Sequence, residues 1–337
     1  MKSLVCVCPN FVDGTSLYRG IGPLSRLKKD HNFHLILSTV LDWSIIDQSD
    51  GLFIQRPALP QHVQMIEVAK INNYPVWVDY DDDLLNVPME NPTIDTYGRT
   101  DIKSNILRCI NLATVVTVST ETLRLSLMSA MGKENLKCPD IVVIPNAFDE
   151  RKFVRSNHFG ERSKTVVWRG THTHIKDILD YAEPISQLMN EFKDWRWTFF
   201  GLYPYMIQNL PTERVNYYQL TDPIRYMRIL ENLAPSLMVV PLSDNSFNRA
   251  KSNIAWLEGS FAGASVMCPD FEEWRNPGAR LYSDSDNFYE VFKEMLTAND
   301  DYRTDLNSAS WEYIQNKLTL KTVNEIRFDI LKKYFNF

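Results

Sequence analysis

Short uninterrupted apolar runs recur along this chain, separated by stretches in which apolar residues return every three or four positions. Residues 3–8 (SLVCVC) form the first run, followed by a polar loop over 9–22 and a helical pattern carrying Leu24 and Leu27. Runs at 34–37, 52–54, 76–78, 115–118 and 141–144 predict further strands, with helices over 61–71 and 121–131. After a polar, aperiodic stretch at 151–164 the rhythm restarts with runs at 166–168, 197–200, 215–218, 237–242 and 265–268. Beyond Asp284 the pattern is helical almost to the end. Apolar strands alternating with helices predict parallel α/β sheets covered on both faces. The break at 151–164 reads as a linker, so two doubly wound, Rossmann-like halves facing a cleft are expected.

One stretch, 246–263, has the strongest functional signature. It lies between the runs 237–242 and 265–268, and its middle has helical spacing, with Ile254, Leu257 and Phe261 on one face and Ala255, Glu258 and Ala262 on another. Ser252 is read as the N-cap. Lys251 and Ser252 would then offer an anion a charge, a hydroxyl and a helix start together. Glu258, six residues further along, would sit about 9 Å away along the axis. That separation suits phosphates at the helix tip and a hydroxyl-bearing ring beside the helix. A solvated surface lysine and glutamate would give the same pattern.

Composition narrows the classes. The 337 residues carry 36 Lys and Arg against 42 Asp and Glu, a net charge of −6 that draws the whole protein to neither nucleic acid nor anionic membrane. No apolar run approaches a membrane span, and no signal-like start is present, so a cytoplasmic protein is expected. The five cysteines show no CxxC spacing; Cys6 and Cys8 face one side of a strand, like small buried hydrophobes.

Three other polar concentrations stand out. The segment 166–177 (VVWRGTHTHIKD) ends a strand in an Arg-Gly turn, aiming Arg169 and the backbone donors of Gly170 and Thr171 at one spot. His172 and His174 as a metal pair is another reading, though no third ligand has suitable spacing. Asp79, Asp81, Asp82 and Asp83 follow a strand end and invite a divalent cation, an acceptor-side polar role, or a merely capping one. The loop 13–23 carries Gly14, Gly20 and Gly22 with Arg19, and lacks both the GxGxxG order and a Walker lysine. Gly14 and Arg19 could meet a ligand, or form a plain turn with a surface arginine.

Several motifs resemble those of GT-B glycosyltransferases, in particular the retaining enzymes of the large family four with their phage and capsule-type members. The run Ile144-Pro145-Asn146-Ala147-Phe148-Asp149 is similar to the I-P-N-G-(I/V)-D signature that closes their first domain, with Ala147 in the glycine's place. The stretch Val116-Thr117-Val118-Ser119-Thr120-Glu121 is similar to another of their elements, and 251–266 to their donor segment. The resemblance implies that Glu258 holds the ribose and that Arg169 grips the diphosphate. The family's lysine at this turn has no clean counterpart, since Lys176 lies two positions too far along and His174 could occupy its place. The family's first glutamate falls on Ala250 and is absent, and Asn248 or Asp244 are candidate substitutes.

The resulting expectation is an α/β GT-B protein with an acceptor-side domain over 1–155, a donor domain over 156–315 and a C-terminal helix over 316–337 packing back on the first domain. The implied activity moves a sugar from a nucleotide sugar to an acceptor hydroxyl with retention and without a required metal. Arg169, Lys251 and Asp82 are the expected catalytic residues. Gly170, Thr171, His174, Asn248, Ser252, Asn253 and Glu258 are the donor-binding set, and Gly14, Arg19 and Asp81 the acceptor or sugar side. The acceptor stays open between glycan, protein and a hydroxylated DNA base, and an inactive nucleotide-sugar-binding module is the rival reading. A phosphorylase or epimerase on the same fold is a further one. Trp195, Trp197, Trp274, Tyr203 and Tyr205 are candidates to stack on sugars or bases, or plain packing residues.

Overall fold

A computed structural model describes residues 1–155, 162–208 and 210–337. The first half is a six-stranded parallel sheet of β1 (Ser3–Val7), β2 (His34–Ser38), β3 (Gly51–Gln55), β4 (Val76–Tyr80), β5 (Val115–Val118) and β6 (Asp140–Val143), in the order β2-β1-β3-β4-β5-β6. The second is a parallel sheet of β7 (Ser163–Gly170), β8 (Arg196–Gly201), β9 (Val215–Gln219), β10 (Pro235–Val239), β11 (Ser265–Pro269) and β12 (Arg280–Tyr282), in the order β12-β11-β10-β7-β8-β9. The central strands are buried along their whole length because helices cover both faces, which is why they read as unbroken apolar runs.

Strand order fixes where a ligand can sit. In the first sheet the chain leaves β1 towards β2 and returns to pair β3 on the other side of β1; in the second it runs from β7 to β8 and β9, then pairs β10 on the opposite side of β7. Each reversal opens a crevice at the carboxyl ends of the strands, after β1 and β3 in one half and after β7 and β10 in the other.

The chain crosses back at its end. Phe148 bridges Thr319, Leu320 donates to the Phe148 carbonyl at 2.7 Å, and the helix Leu320–Phe335 lies against the first half. There Asn324 donates to the Pro23 carbonyl, Phe328 stacks on His31 with centroids 3.6 Å apart, and Phe335 packs near Trp77. The linker reading over 151–164 and the boundary after residue 155 fall partly on 156–161, outside the described residues. The short edge strand β12 was not foreseen, nor were the helices Thr100–Leu112, Ala182–Glu191 and Pro223–Leu233. Among the described residues no helix is long and apolar enough to cross a membrane.

Candidate active site

The two crevices open on one cavity of about 360 Å³. Its walls include Gly14, Arg19, Asp81 and Asp82 from the first half and Arg169, Gly170, Thr171, His174, Lys251, Ser252 and Glu258 from the second. Asn248 and Asn253, expected on the donor side, do not line it. The wall also contains Tyr18, Arg56, Asn146, Tyr226 and Trp274.

The anion corner differs in detail from the expectation. The helix spans Ile254–Phe261 with Asn253 as its flanking residue, so Ser252 is not the N-cap. Ser252 Oγ instead accepts from Asn146 Nδ2 of the first half at 2.8 Å. No side chain caps the helix; the Trp256 and Leu257 N–H groups donate to the Asn253 carbonyl, and those of Ile254 and Ala255, both in the cavity wall beside Ser252, stay open. Lys251 Nζ lies 4.9 Å from the Phe247 ring centroid and, among the described residues, joins no ion pair. An uncommitted ammonium beside uncapped N–H groups is a ready anion site.

Glu258 is fully engaged. Its Oε2 accepts from Arg169 Nε at 3.0 Å and from the Tyr226 hydroxyl at 3.2 Å, while Oε1 accepts from the Tyr18 hydroxyl of the first half at 3.2 Å. Burial, then the Glu258 charge, pushes both tyrosines well above their usual range. Burial acts against the charge of Arg169, but Glu258, Tyr226 and Tyr18 together hold it above its ordinary value. The residues assigned from the resemblance to diphosphate and ribose are thus partners of each other here.

His174 is set by a local network. Its Nδ1 lies 2.8 Å from Asp177 Oδ2, and Asp177 Oδ1 accepts from Asn248 Nδ2 and the Ser243 N–H. Asn248 is therefore a buried support under Asp177, not a ligand residue. Burial and then Lys251 push the imidazole below its ordinary value. His174 takes the cavity position, whereas Lys176 points away to an exposed pair with Asp180. His172 is exposed and is not part of the cavity wall.

The Asp79–Asp83 run disperses into separate partnerships. Asp79 is buried against Arg19 in a bidentate pair of 2.7 and 3.1 Å, and takes a hydrogen bond from Thr117. Arg19 also donates to the Ile144 carbonyl and Asn146, and is 1% exposed. It is therefore neither a turn residue on the surface nor a free acceptor-side cation. The loop reading there yields to a short helix, Gly14–Arg19, capped by Asp13. Asp83 is buried with Ser126 and Asn86. Only Asp81 and Asp82 face the cavity, and both are held by Arg56, which donates to each. Arg56 has φ 50, a left-handed conformation that a non-glycine residue adopts at a cost. Burial opposes the charge of Asp82, but Arg56, Lys251 and His174 together hold its pKa below the usual value, while burial raises that of Asp81. Among the described residues no group of three or more His, Cys, Asp or Glu side chains is placed to hold a metal.

Contacts between the halves surround the cavity. Besides Tyr18–Glu258 and Asn146–Ser252, Thr120 donates to the Ala250 carbonyl at 2.8 Å, the Thr122 N–H to Glu273 at 3.0 Å, and Asn91 to the Thr173 carbonyl at 3.3 Å. Of the aromatic candidates, Trp195 and Trp197 are core residues, Tyr203 and Tyr205 are exposed, and Trp274 alone lines the cavity.

No known protein family and no curated protein matches the chain by sequence. Solved structures do match. A trehalose-6-phosphate synthase studied for glycosyl transfer with retention superposes with a TM-score of 0.65 at 12% identity, over 99% of this chain and 99% of that one. The UDP-forming trehalose-phosphate synthase of Burkholderia xenovorans gives 0.63 at 10% identity, over 87% of this chain and 75% of that one. TarM of S. aureus, solved with UDP and α-GlcNAc-glycerol, gives 0.63 at 15% identity, over 87% of this chain and 57% of that one. The chain has the two-domain GT-B fold.

Proposed function

We propose that the protein is a glycosyltransferase that takes a sugar from a nucleotide sugar and delivers it, with retention, to an acceptor hydroxyl. The observation that carries this reading is the convergence of two strand-order reversals on one cavity, with uncommitted Lys251 beside the uncapped start of Ile254–Phe261. A diphosphate is the ligand group that such a corner fits. The neighbours support the reading: an E. coli trehalose-6-phosphate structure of this fold holds UDP-2-fluoro glucose, and the TarM complex holds UDP.

In the proposed reaction the bond between the sugar's anomeric carbon and the diphosphate oxygen breaks as the acceptor oxygen bonds to the same carbon from the same face. The acceptor's proton passes to the departing phosphate oxygen. Lys251, the helix N–H groups and Arg169 stabilise the charge left on the diphosphate. No divalent metal is assigned a part, so EDTA is expected to leave turnover unchanged. Donor binding has a consequence for Glu258. If its carboxylate takes the ribose hydroxyls, they replace the hydrogen bond from Tyr18, and the first half is released from that contact.

Thermal shift against UDP, GDP, ADP, CMP and their sugars tests the donor site. One nucleotide should raise the melting temperature of the wild type, with the rise strongly reduced in Lys251→Ala and in Glu258→Ala. No shift with any of them at millimolar concentration would refute the reading.

A further inference from the structure

Lys251 stands on a short link, 250–253, between the helices Ser246–Arg249 and Ile254–Phe261. The link belongs to no strand or helix, so the contacts on its two sides decide its course. Those contacts come from the first half. Thr120, just after β5, donates its hydroxyl to the Ala250 carbonyl at 2.8 Å, and Asn146, after β6, donates Nδ2 to Ser252 Oγ at 2.8 Å. The Ala250 methyl adds a third hold. It is 1% exposed and lies in a hydrophobic core with Val116, Val118, Leu123 and Leu127, all of the first half. The position where the resemblance expects a glutamate is thus filled by a small group sunk into the opposite half.

Both donors are themselves fixed. Thr120 Oγ1 accepts from the Leu123 N–H and so caps the helix Glu121–Lys133, leaving its hydrogen for Ala250. Asn146 is buried, and its Oδ1 accepts from Arg19 Nη1 at 3.3 Å, which turns Nδ2 towards Ser252. Arg19 is locked in turn on Asp79. A lysine has a long, flexible stem, so where its ammonium can reach depends on how firmly its backbone is rooted. Here the residue on either side of Lys251 is bonded to a rigid, buried group of the other half.

We propose that Thr120 and Asn146 are positioning residues for Lys251. By holding Ala250 and Ser252 they set where its ammonium meets the diphosphate, so the anion corner is complete only when the two halves are docked. This rests on the nucleotide-sugar reading above and adds which residues of the first half place Lys251.

Calorimetry on the full chain, with UDP, GDP and ADP as probes, tests it through a double-mutant cycle. For the nucleotide that binds wild type, Thr120→Val and Asn146→Leu should each weaken affinity by about fivefold, the scale of one neutral hydrogen bond. Thr120→Ser, which keeps the hydroxyl, should stay within about twofold of wild type. Lys251→Ala should itself bind about tenfold more weakly, and adding either change to it should cost less than about twofold more, because both act through the missing ammonium. Thr120→Val also removes a helix cap, so its melting temperature should fall in both backgrounds and report that separate role. Should Thr120→Val not fold, Asn146→Leu carries the same cycle, since Arg19 keeps Asp79. Equal losses with and without Lys251 would show a merely structural role and overturn the proposal. So would an affinity unmoved in both single variants, or a loss in Thr120→Val that Thr120→Ser shares. Failure of the wild type to bind any nucleotide instead refutes the glycosyltransferase reading itself.

Discussion

Arg19 gives the sharpest test of how the first half is held together, because it lies in the cavity wall yet is committed to a buried pair with Asp79. Arg19 and Asp79 are 1% and 2% exposed and meet in a two-pronged pair. A second buried arginine, Arg327 of the C-terminal helix, feels both: burial first, then Arg19, pushes it down to about 9, while Asp79 acts in the other direction. The patch therefore holds two guanidiniums and one carboxylate, a single net positive charge. Arg19→Met leaves one of each, so Arg327 still faces Asp79 and the cost should fall at the low end for a broken buried pair, about 3 kcal/mol. Asp79→Leu leaves two buried cations without a counter-charge and should cost about 5 kcal/mol. The double variant restores one net charge and should be less damaged than Asp79→Leu alone. Urea denaturation followed by circular dichroism measures all three; for a domain of 150–250 residues about 3 kcal/mol is also about 6–12 °C in melting temperature. The reasoning is refuted if Arg19→Met costs less than about 1 kcal/mol, or if Asp79→Leu is the milder of the two changes.

Other expectations follow from packing and titration. Gly259 lies where an added Cβ would sit 2.8 Å from Val266 Cγ2 and 2.9 Å from Met238 Sδ, so Gly259→Ala should destabilise by about 1–3 kcal/mol in the same denaturation assay. Gly14 has nothing within 4 Å of that position, so Gly14→Ala should leave stability within about 0.5 kcal/mol while placing a methyl in the cavity; a loss above about 2 kcal/mol would contradict the open wall. Because His174 titrates below its ordinary value of 6.5, the unfolded chain takes up its proton first as pH falls. Its contribution to stability is complete above that value and is lost as pH drops towards the depressed one. A series of melting temperatures from pH 8 to 5 should show a shallower decline in His174→Gln than in wild type.

Much of the architecture is visible in the residues themselves. Parallel strands buried on both faces must be apolar throughout, and β3, β4, β10 and β11 announce themselves for that reason. The edge strand β12 does not, since three residues, two half-buried and one buried, are too few to show a period. The helices Thr100–Leu112 and Ala182–Glu191 did carry a signal, buried Ile102, Ile106, Cys109 and Ile110 in one and Ile185, Leu188 and Met189 in the other, at helical spacing. Within the site, residues on the strand-end turns after β7 and before Ile254–Phe261 were legible because a short motif holds them. Arg56 was not: nothing in a sequence separation of 25 positions indicates that it pairs with Asp81. Tyr18 and Glu258, 240 positions apart, meet only because the two halves close on each other. For the same reason the aspartate cluster looked like a cation site in sequence. Asp79 is taken by Arg19, Asp81 and Asp82 share Arg56, and Asp83 is held by Ser126 and Asn86, and only the fold assigns these partners.

The central claim is transfer from a nucleotide sugar with retention, and proton NMR of donor turnover addresses it most directly. UDP-, GDP- and ADP-glucose and UDP-N-acetylglucosamine, all α-linked, would be followed with the protein and a panel of hydroxyl acceptors, reading nucleotide release and the anomeric signal before mutarotation. The account predicts release of nucleotide from one donor with an α-configured product, abolished or reduced by at least about tenfold in Lys251→Ala. A β-configured product would contradict retention, and no nucleotide release from any donor would contradict the assignment of the cavity as a glycosyl-transfer site.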